Sequence, residues 1–285
     1  MALRIVTGVV LIAAVVALVW WGPAWLLAMA AALITILALI EFFALGERLG
    51  LRAFTKWTLV CAATLFYAQY AIGIAETHAF GVAIAFTRTI AGLPISVDLV
   101  LLVFLFGAAG IGLATKRPLP DVLSAVSISS AGLLVVALPL SYLVRINEVD
   151  RDGRALILFT LALIWAGDTL AYFAGKLMGR VPMAPVLSPR KTWEGAIANL
   201  AGSLLVAWVA SRWIETDVTA LLFVAGMANV AGQMGDLIES AYKRGAGVKD
   251  SGNLLPGHGG VLDRIDSLIL AAPVVWICYS WFTLR

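Results

Sequence analysis

Several groups of residues in this chain have the types and spacing to do chemistry on phosphates. Asp168 stands in an otherwise apolar run, Leu163-Ile-Trp-Ala-Gly-Asp-Thr-Leu-Ala-Tyr172, where an ionisable side chain is costly and is a functional candidate by default. Its plainer reading is a partner for a basic group on a neighbouring helix. Asp236 is followed by Ser240, Lys243 and Arg244 at offsets of four, seven and eight residues, which puts all four on one face if the helix continues. A carboxylate, a hydroxyl and two cations on one stripe suit a metal and a phosphate side by side; an ordinary interfacial helix end is the alternative. The segment Lys249–Asp266 then carries Gly252, Pro256, Gly257, His258, Gly259 and Gly260 before Asp263, Arg264 and Asp266. Four glycines and a proline exclude a stable helix, and glycine lets backbone N–H groups turn toward an anion. Asp263 and Asp266, three residues apart, share one face of the helix that follows.

The chemistry these residues point to is phosphoryl or nucleotidyl transfer. Carboxylates from separate helices (Asp168, Asp236 and Asp263) are expected to converge, with Lys191, Lys243, Arg244, Lys249 and Arg264 around them. Such carboxylates hold Mg²⁺ with few protein ligands and leave positions open for substrate phosphates. The surrounding cations balance the remaining phosphate charge.

The elements that must position these groups are membrane helices. Of 285 residues, 62% are hydrophobic and 13% charged, with mean hydropathy +0.98. A soluble domain averages roughly half apolar and a quarter charged, and no soluble interior hides this much apolar surface. The chain is therefore read as an all-α polytopic integral membrane protein. About nine apolar runs approach the ~20 residues that cross a bilayer: 4–21, 24–45, 57–75, 97–115, 122–144, 155–177, 194–212, 218–238 and 264–283. The first ends in Trp-Trp-Gly-Pro-Ala-Trp, not a small-residue cleavage site, and reads as an uncleaved span. With no linker, low-complexity tract or clear repeat, residues 1–285 read as one membrane domain, 1–150 as N-terminal spans and 155–285 as the catalytic part.

Basic residues orient the spans. With the N-terminus cytoplasmic, fourteen of the twenty Lys and Arg residues fall on the cytosolic side and six on the other, as the positive-inside rule requires. Asp168 then lies ~12 Å short of Lys176 at 1.5 Å per residue, buried in the cytosolic half. The two most basic loops, between spans six and seven and between eight and nine, also face the cytosol; topology signals and headgroup contacts are their bland reading. Cys61 and Cys278 lie far apart without metal-ligand spacing, and His78 and His258 are the only histidines. Zinc and a disulfide framework are thus not expected.

The run Ser240-x-x-Lys243-Arg244, four residues, Lys249-Asp250, then Pro256-Gly-His258-Gly259-Gly260-x-x-Asp263-Arg264-x-Asp266 resembles the signature of phosphatidate cytidylyltransferases (CDP-diacylglycerol synthases). It fixes more than ten positions in 27 residues. Asp168-Thr-x-Ala-Tyr172 and Ser188-Pro-x-Lys191-Thr-Trp-Glu194-Gly are also similar to family segments, whereas the first ~150 residues share only multi-span character. Tyr242 stands where the signature usually has an aliphatic residue or Phe; a tyrosine can snorkel at such an interface.

The resemblance implies an inner-membrane, Mg²⁺-dependent enzyme that converts CTP and phosphatidate to CDP-diacylglycerol and pyrophosphate, with its site open to the cytosol. It implies a homodimer and no nucleic-acid partner. It also implies Asp236 and Asp263 as metal ligands and Asp168 as a supporting acidic group. Lys249 and Arg264 join these in catalysis, and Lys191, Ser240, Lys243, Arg244, Gly257, His258, Gly259, Gly260 and Asp266 contact substrate. Phosphatidate's phosphate has a second pKa of ~6 and arrives mostly as a dianion, so His258 has no proton to remove and is expected to bond a phosphate or pin the loop. Two other classes share some features. A CTP-using lipid alcohol kinase should lack the Pro-Gly-His-Gly-Gly run, and a transporter usually has internal repeats and helices broken near mid-membrane.

Overall fold

An apolar segment in lipid must satisfy its backbone polar groups internally, which an α-helix does; the apolar runs of this chain accordingly form helices. A computed structural model describes residues 2–78, 89–90, 93–149, 151–255 and 259–283. The elements are α1 (Ala2–Trp21), α2 (Ala24–Arg48), α3 (Thr55–His78), β1 (Thr89–Ile90), β2 (Leu93–Pro94), α4 (Val97–Ala114), α5 (Leu119–Ala131), α6 (Leu138–Asn147), α7 (Gly153–Met178), β3 (Pro182–Ala184), β4 (Ser188–Thr192), α8 (Trp193–Ala210), α9 (Val218–Gly245) and α10 (Leu262–Thr283). A π-helical turn, Gly132–Ala137, joins α5 to α6, so residues 119–147 form one apolar helical run.

Among the described residues, seven helices are long and apolar enough to cross a membrane: α2, α4, the 119–147 run, α7, α8, α9 and α10. They match seven of the expected spans. The expected first span falls on α1, of which Gly8–Trp21 is a shorter apolar helix. The expected third falls on α3, which is diluted by Lys56, Gln69, Tyr67 and Tyr70 and is not one of the seven.

The chain divides into two compact units, Met1–Asp150 with Asp250–Asp263, and Arg151–Lys249 with Arg264–Arg285. In the first unit α3 packs against α2, α4 and α6, burying Leu39, Leu65, Phe104, Leu133 and Leu140. The Trp57 indole lies on Gly107, where a Cβ would come within 2.1 Å of the ring, and donates to the Phe104 carbonyl at 3.0 Å. The π turn begins at Gly132, which lets the Phe43 ring approach to 2.6 Å of a Cβ position. The glycine-rich segment 250–263 belongs to this unit, far in sequence from the rest of it.

In the second unit α7 packs along α8 and α8 along α9. Small residues let these helices close: Gly235 lies against the Asp266 carbonyl of α10, where a Cβ would stand 2.5 Å away. Pro273 sits inside α10; it has no N–H to donate back to the Ile269 carbonyl. The connection between α7 and α8, read from the sequence as one of the two most basic loops, is the antiparallel hairpin β3–β4.

Candidate functional site

The corner between α7 and α8 is fixed by short-range bonds. The Thr192 hydroxyl caps α8 by accepting from the Gly195 N–H at 3.2 Å. The Glu194 carboxylate accepts from the Val181 N–H at 3.3 Å, and the Trp193 N–H donates to the Val181 carbonyl at 3.0 Å. A negative side chain in the first turn also suits the positive end of the α8 dipole. The hairpin is thereby tied to the helix it precedes, and Lys191, one residue before the cap, gains a defined direction.

Lys191 reaches Asp236 of α9, with Nζ 2.5 Å from Oδ2 and both side chains half-buried. Asp236 also faces the Ser240 hydroxyl, which donates to Oδ1 at 3.5 Å. The helix does continue through residue 245, so the expected stripe exists. Its members part company at the far end. Lys243 is buried in an ion pair with Glu239, four residues earlier on the same helix. Arg244 is exposed and donates to the carbonyls of Leu187 at 3.3 Å and Val248 at 2.9 Å. Lys249 and Arg264 are exposed.

Asp168 lies on a cavity of about 220 Å³ whose lining includes Tyr172, Arg190, Lys191, Asn199, Gln233, Asp236 and Ser267. Its side chain opens on this cavity. Asn199 Nδ2 donates to Asp168 Oδ1 at 3.1 Å. Behind Asn199 a chain of amides links α8 to α9. Asn229 donates to Asn199 Oδ1 at 2.5 Å and to Ser203 Oγ at 2.7 Å, and Gln233 donates to Asn229 Oδ1 at 2.7 Å. Asn199, Ser203 and Asn229 are buried, and a buried amide left unbonded is costly. The chain therefore holds Asp168 in one orientation.

Asp266 of α10 has Asp236, Lys243 and Asp168 as electrostatic neighbours, and its Oδ1 accepts from the Ser267 N–H at 2.6 Å. The second unit thus gathers Asp168, Asp236 and Asp266 with Lys191 and Lys243.

Asp263 belongs to the first unit. Its Oδ2 accepts from the Ser251 N–H at 2.9 Å, the Ser251 hydroxyl at 3.0 Å and the Gly260 N–H at 2.9 Å, so it organises the glycine-rich segment. Gly259 has φ +83°, a conformation that favours glycine, and its carbonyl accepts from the Leu255 N–H at 3.0 Å. Gly257 and His258 lie outside the described residues. Sequence reasoning missed Glu41, Asn199, Asn229, Gln233 and Glu239. Each was visible as a polar residue inside an apolar helix, but without a motif to single it out.

Among the described residues, no group of three or more His, Cys, Asp and Glu side chains is arranged to hold a metal ion. In kind the donors still suit Mg²⁺, which takes hard oxygens and often only one or two carboxylates beside substrate phosphates. Acidic oxygens beside a lysine, on an open cavity, are a place for a phosphate and its counter-ion. The sequence pattern of the cytidylyltransferase family matches residues 2–282. The chain belongs to that family.

Within the cytidylyltransferase family, the chain is similar to proteins named phosphatidate cytidylyltransferase. It is 43% identical over 130 residues to that of Staphylococcus saprophyticus, covering 45% of this chain and 50% of the relative. Against Staphylococcus haemolyticus the identity is 45% over 126 residues, covering 44% and 48%. Against Staphylococcus aureus (strain COL) it is 44% over 130 residues, covering 45% and 50%. The matched stretch spans about half the length of these curated relatives.

Proposed function

We propose that this protein transfers the cytidylyl group of CTP to phosphatidate, releasing pyrophosphate and forming CDP-diacylglycerol. The observation that carries this reading is the cavity in which Asp168, Lys191 and Asp236 meet, in a chain of the cytidylyltransferase family. A phosphate oxygen of phosphatidate attacks the α-phosphorus of CTP in line. The new P–O bond forms as the bond to the β-phosphate oxygen breaks, and pyrophosphate leaves with the electron pair. Lys191 would exchange Asp236 for a substrate phosphate, and the exposed Arg244, Lys249 and Arg264 would take the remaining negative charge. The glycine-rich segment, including Gly257, His258, Gly259 and Gly260, is assigned to the triphosphate.

Mg²⁺ is proposed as the cofactor, with Asp236 and Asp263 as its ligands and Asp168 and Asp266 supporting the local charge. When bound it would offset the charge of nucleophile and leaving group. The loop donors on Asp263 Oδ2 fit this role, because ligating carboxylates are themselves commonly oriented by hydrogen bonds. The reading extends to a protein of the cytoplasmic membrane with nine spans, a cytosolic N-terminus, a site open to soluble CTP, and a homodimeric state. The fourteen-to-six distribution of basic residues supports the orientation.

Purified protein incubated with phosphatidate, Mg²⁺ and CTP labelled at the α-phosphate should place label in a lipid and release unlabelled pyrophosphate. Label from the γ-phosphate appearing in the lipid would instead mean kinase chemistry and end this reading.

A further inference from the structure

The strongest unassigned feature is a carboxylate in the part of the chain that carries no motif. Glu41 lies on α2, seven residues before its end at Arg48, and is buried at 8% exposure. An acidic group inside an apolar helix must find partners. Glu41 finds them some two hundred residues away in sequence. Its Oε1 accepts from the Val261 N–H at 3.0 Å, and its Oε2 from the Leu262 N–H at 2.8 Å and the Ser251 hydroxyl at 2.9 Å.

These contacts join both ends of the glycine-rich segment. Val261 and Leu262 stand at the start of α10, where the first N–H groups have no intrahelical acceptor and a negative charge is favoured. The residue before them is Gly260, which has no side chain to serve as a cap, so Glu41 caps the helix from another element. Ser251 stands at the opposite end of the segment, and its hydroxyl lies between Glu41 Oε2 and Asp263 Oδ2. The fit also explains two glycines. A Cβ at Gly252 would come within 2.4 Å of Glu41 Oε1, and one at Gly260 within 2.4 Å of Oε2.

We infer that Glu41 is a positioning residue for the transfer reaction: it ties Ser251 to Val261 and Leu262 at the two ends of the glycine-rich segment and fixes the orientation of Asp263 through Ser251. The inference rests on the function proposed above for what that segment binds, but the tie itself does not. Glu41→Gln keeps the shape yet offers one acceptor oxygen in place of two. Hydrogen–deuterium exchange of the full-length protein in detergent, without substrate, should be faster in peptides covering 251–262 and unchanged in α8. The variant should also show kcat/KM for CTP reduced roughly 10–100-fold, the range for removing an outer-shell partner. Glu41→Asp, which retains both oxygens, should recover part of that loss.

Ser251→Ala gives a milder version of the same test if Glu41→Gln does not accumulate in membranes. Parent-like exchange over 251–262 in either variant overturns the tie, whatever the activity. Faster exchange with unaltered kcat/KM for CTP leaves Glu41 structural and overturns its positioning role. A parent protein that makes no CDP-diacylglycerol overturns the proposed function and leaves the exchange result standing.

Discussion

Replacing a carboxylate by its amide preserves shape and removes the charge, so it isolates what the charge does. Asp236 combines an ion pair with Lys191 and a place on the cavity, and Asp263 holds the glycine-rich segment through three hydrogen bonds to one oxygen. Asp236→Asn and Asp263→Asn should each insert normally and lose nearly all turnover, because several kcal/mol of transition-state stabilisation goes with the metal they are proposed to hold. Steady-state assays on equal amounts of membrane-extracted protein check this, and full activity in either variant removes that residue from the site. His258→Gln retains a hydrogen-bond donor and should cost far less than Asp263→Asn. Its pH–rate profile should keep the limbs of the parent, since a phosphate dianion needs no general base. Loss of turnover in His258→Gln with substrates still bound would make the histidine a base and contradict the in-line attack by the dianion.

At the scale of elements, glycines set how closely the helices approach, and two of them give opposite expectations. A Cβ at Gly167 of α7 would fall 2.1 Å from Asn199 Oδ1 and 3.0 Å from Ser203 Oγ. Gly167→Ala must therefore push α8 away and loosen the bond from Asn199 to Asp168. Overpacking of this kind costs typically 1–3 kcal/mol, so the thermal midpoint in detergent and the turnover should both fall. Gly226 of α9 has open space at the same point, so Gly226→Ala should melt at or slightly above the parent temperature. Equal midpoints for the two variants would mean that α7 and α8 do not meet as closely as described. The close packing was not legible in advance, because a glycine in an apolar helix looks the same whether a neighbour or lipid covers it. The helices themselves were legible, since length and apolarity alone demand them. The β3–β4 hairpin was not: residues 180–192 carry three prolines, three basic residues and no acidic one, a composition that marks a loop without giving its shape.

For the whole molecule, the chemistry was legible where residue types are rare in lipid. Asp168 and Asp236 stood out against apolar runs, and the structure lines one cavity with both. The role of Asp263 as an organiser of its own loop, and the reach of Glu41 across two hundred residues, depend on tertiary folding that spacing does not encode. Topology is a property of the whole chain and is open to a direct test with side chains whose exposure is known. Val186, in the turn between β3 and β4, is 84% exposed, and the Glu215 side chain, beyond the far end of α8, is 69% exposed. By contrast, Asp152 and Ser251 are buried and would report access poorly. Between the two chosen positions lies α8, one of the helices able to cross a membrane. With the N-terminus in the cytosol, Val186→Cys should resist an impermeant thiol reagent in intact cells and react after permeabilisation, while Glu215→Cys should react from outside. The native Cys61 and Cys278, buried and half-buried in apolar helices, are replaced by alanine to remove background. Reaction of Val186→Cys from outside with protection of Glu215→Cys would invert the orientation. Cytosolic CTP could then not reach a cavity that includes Lys191, so the same result would also remove the proposed nucleotide donor.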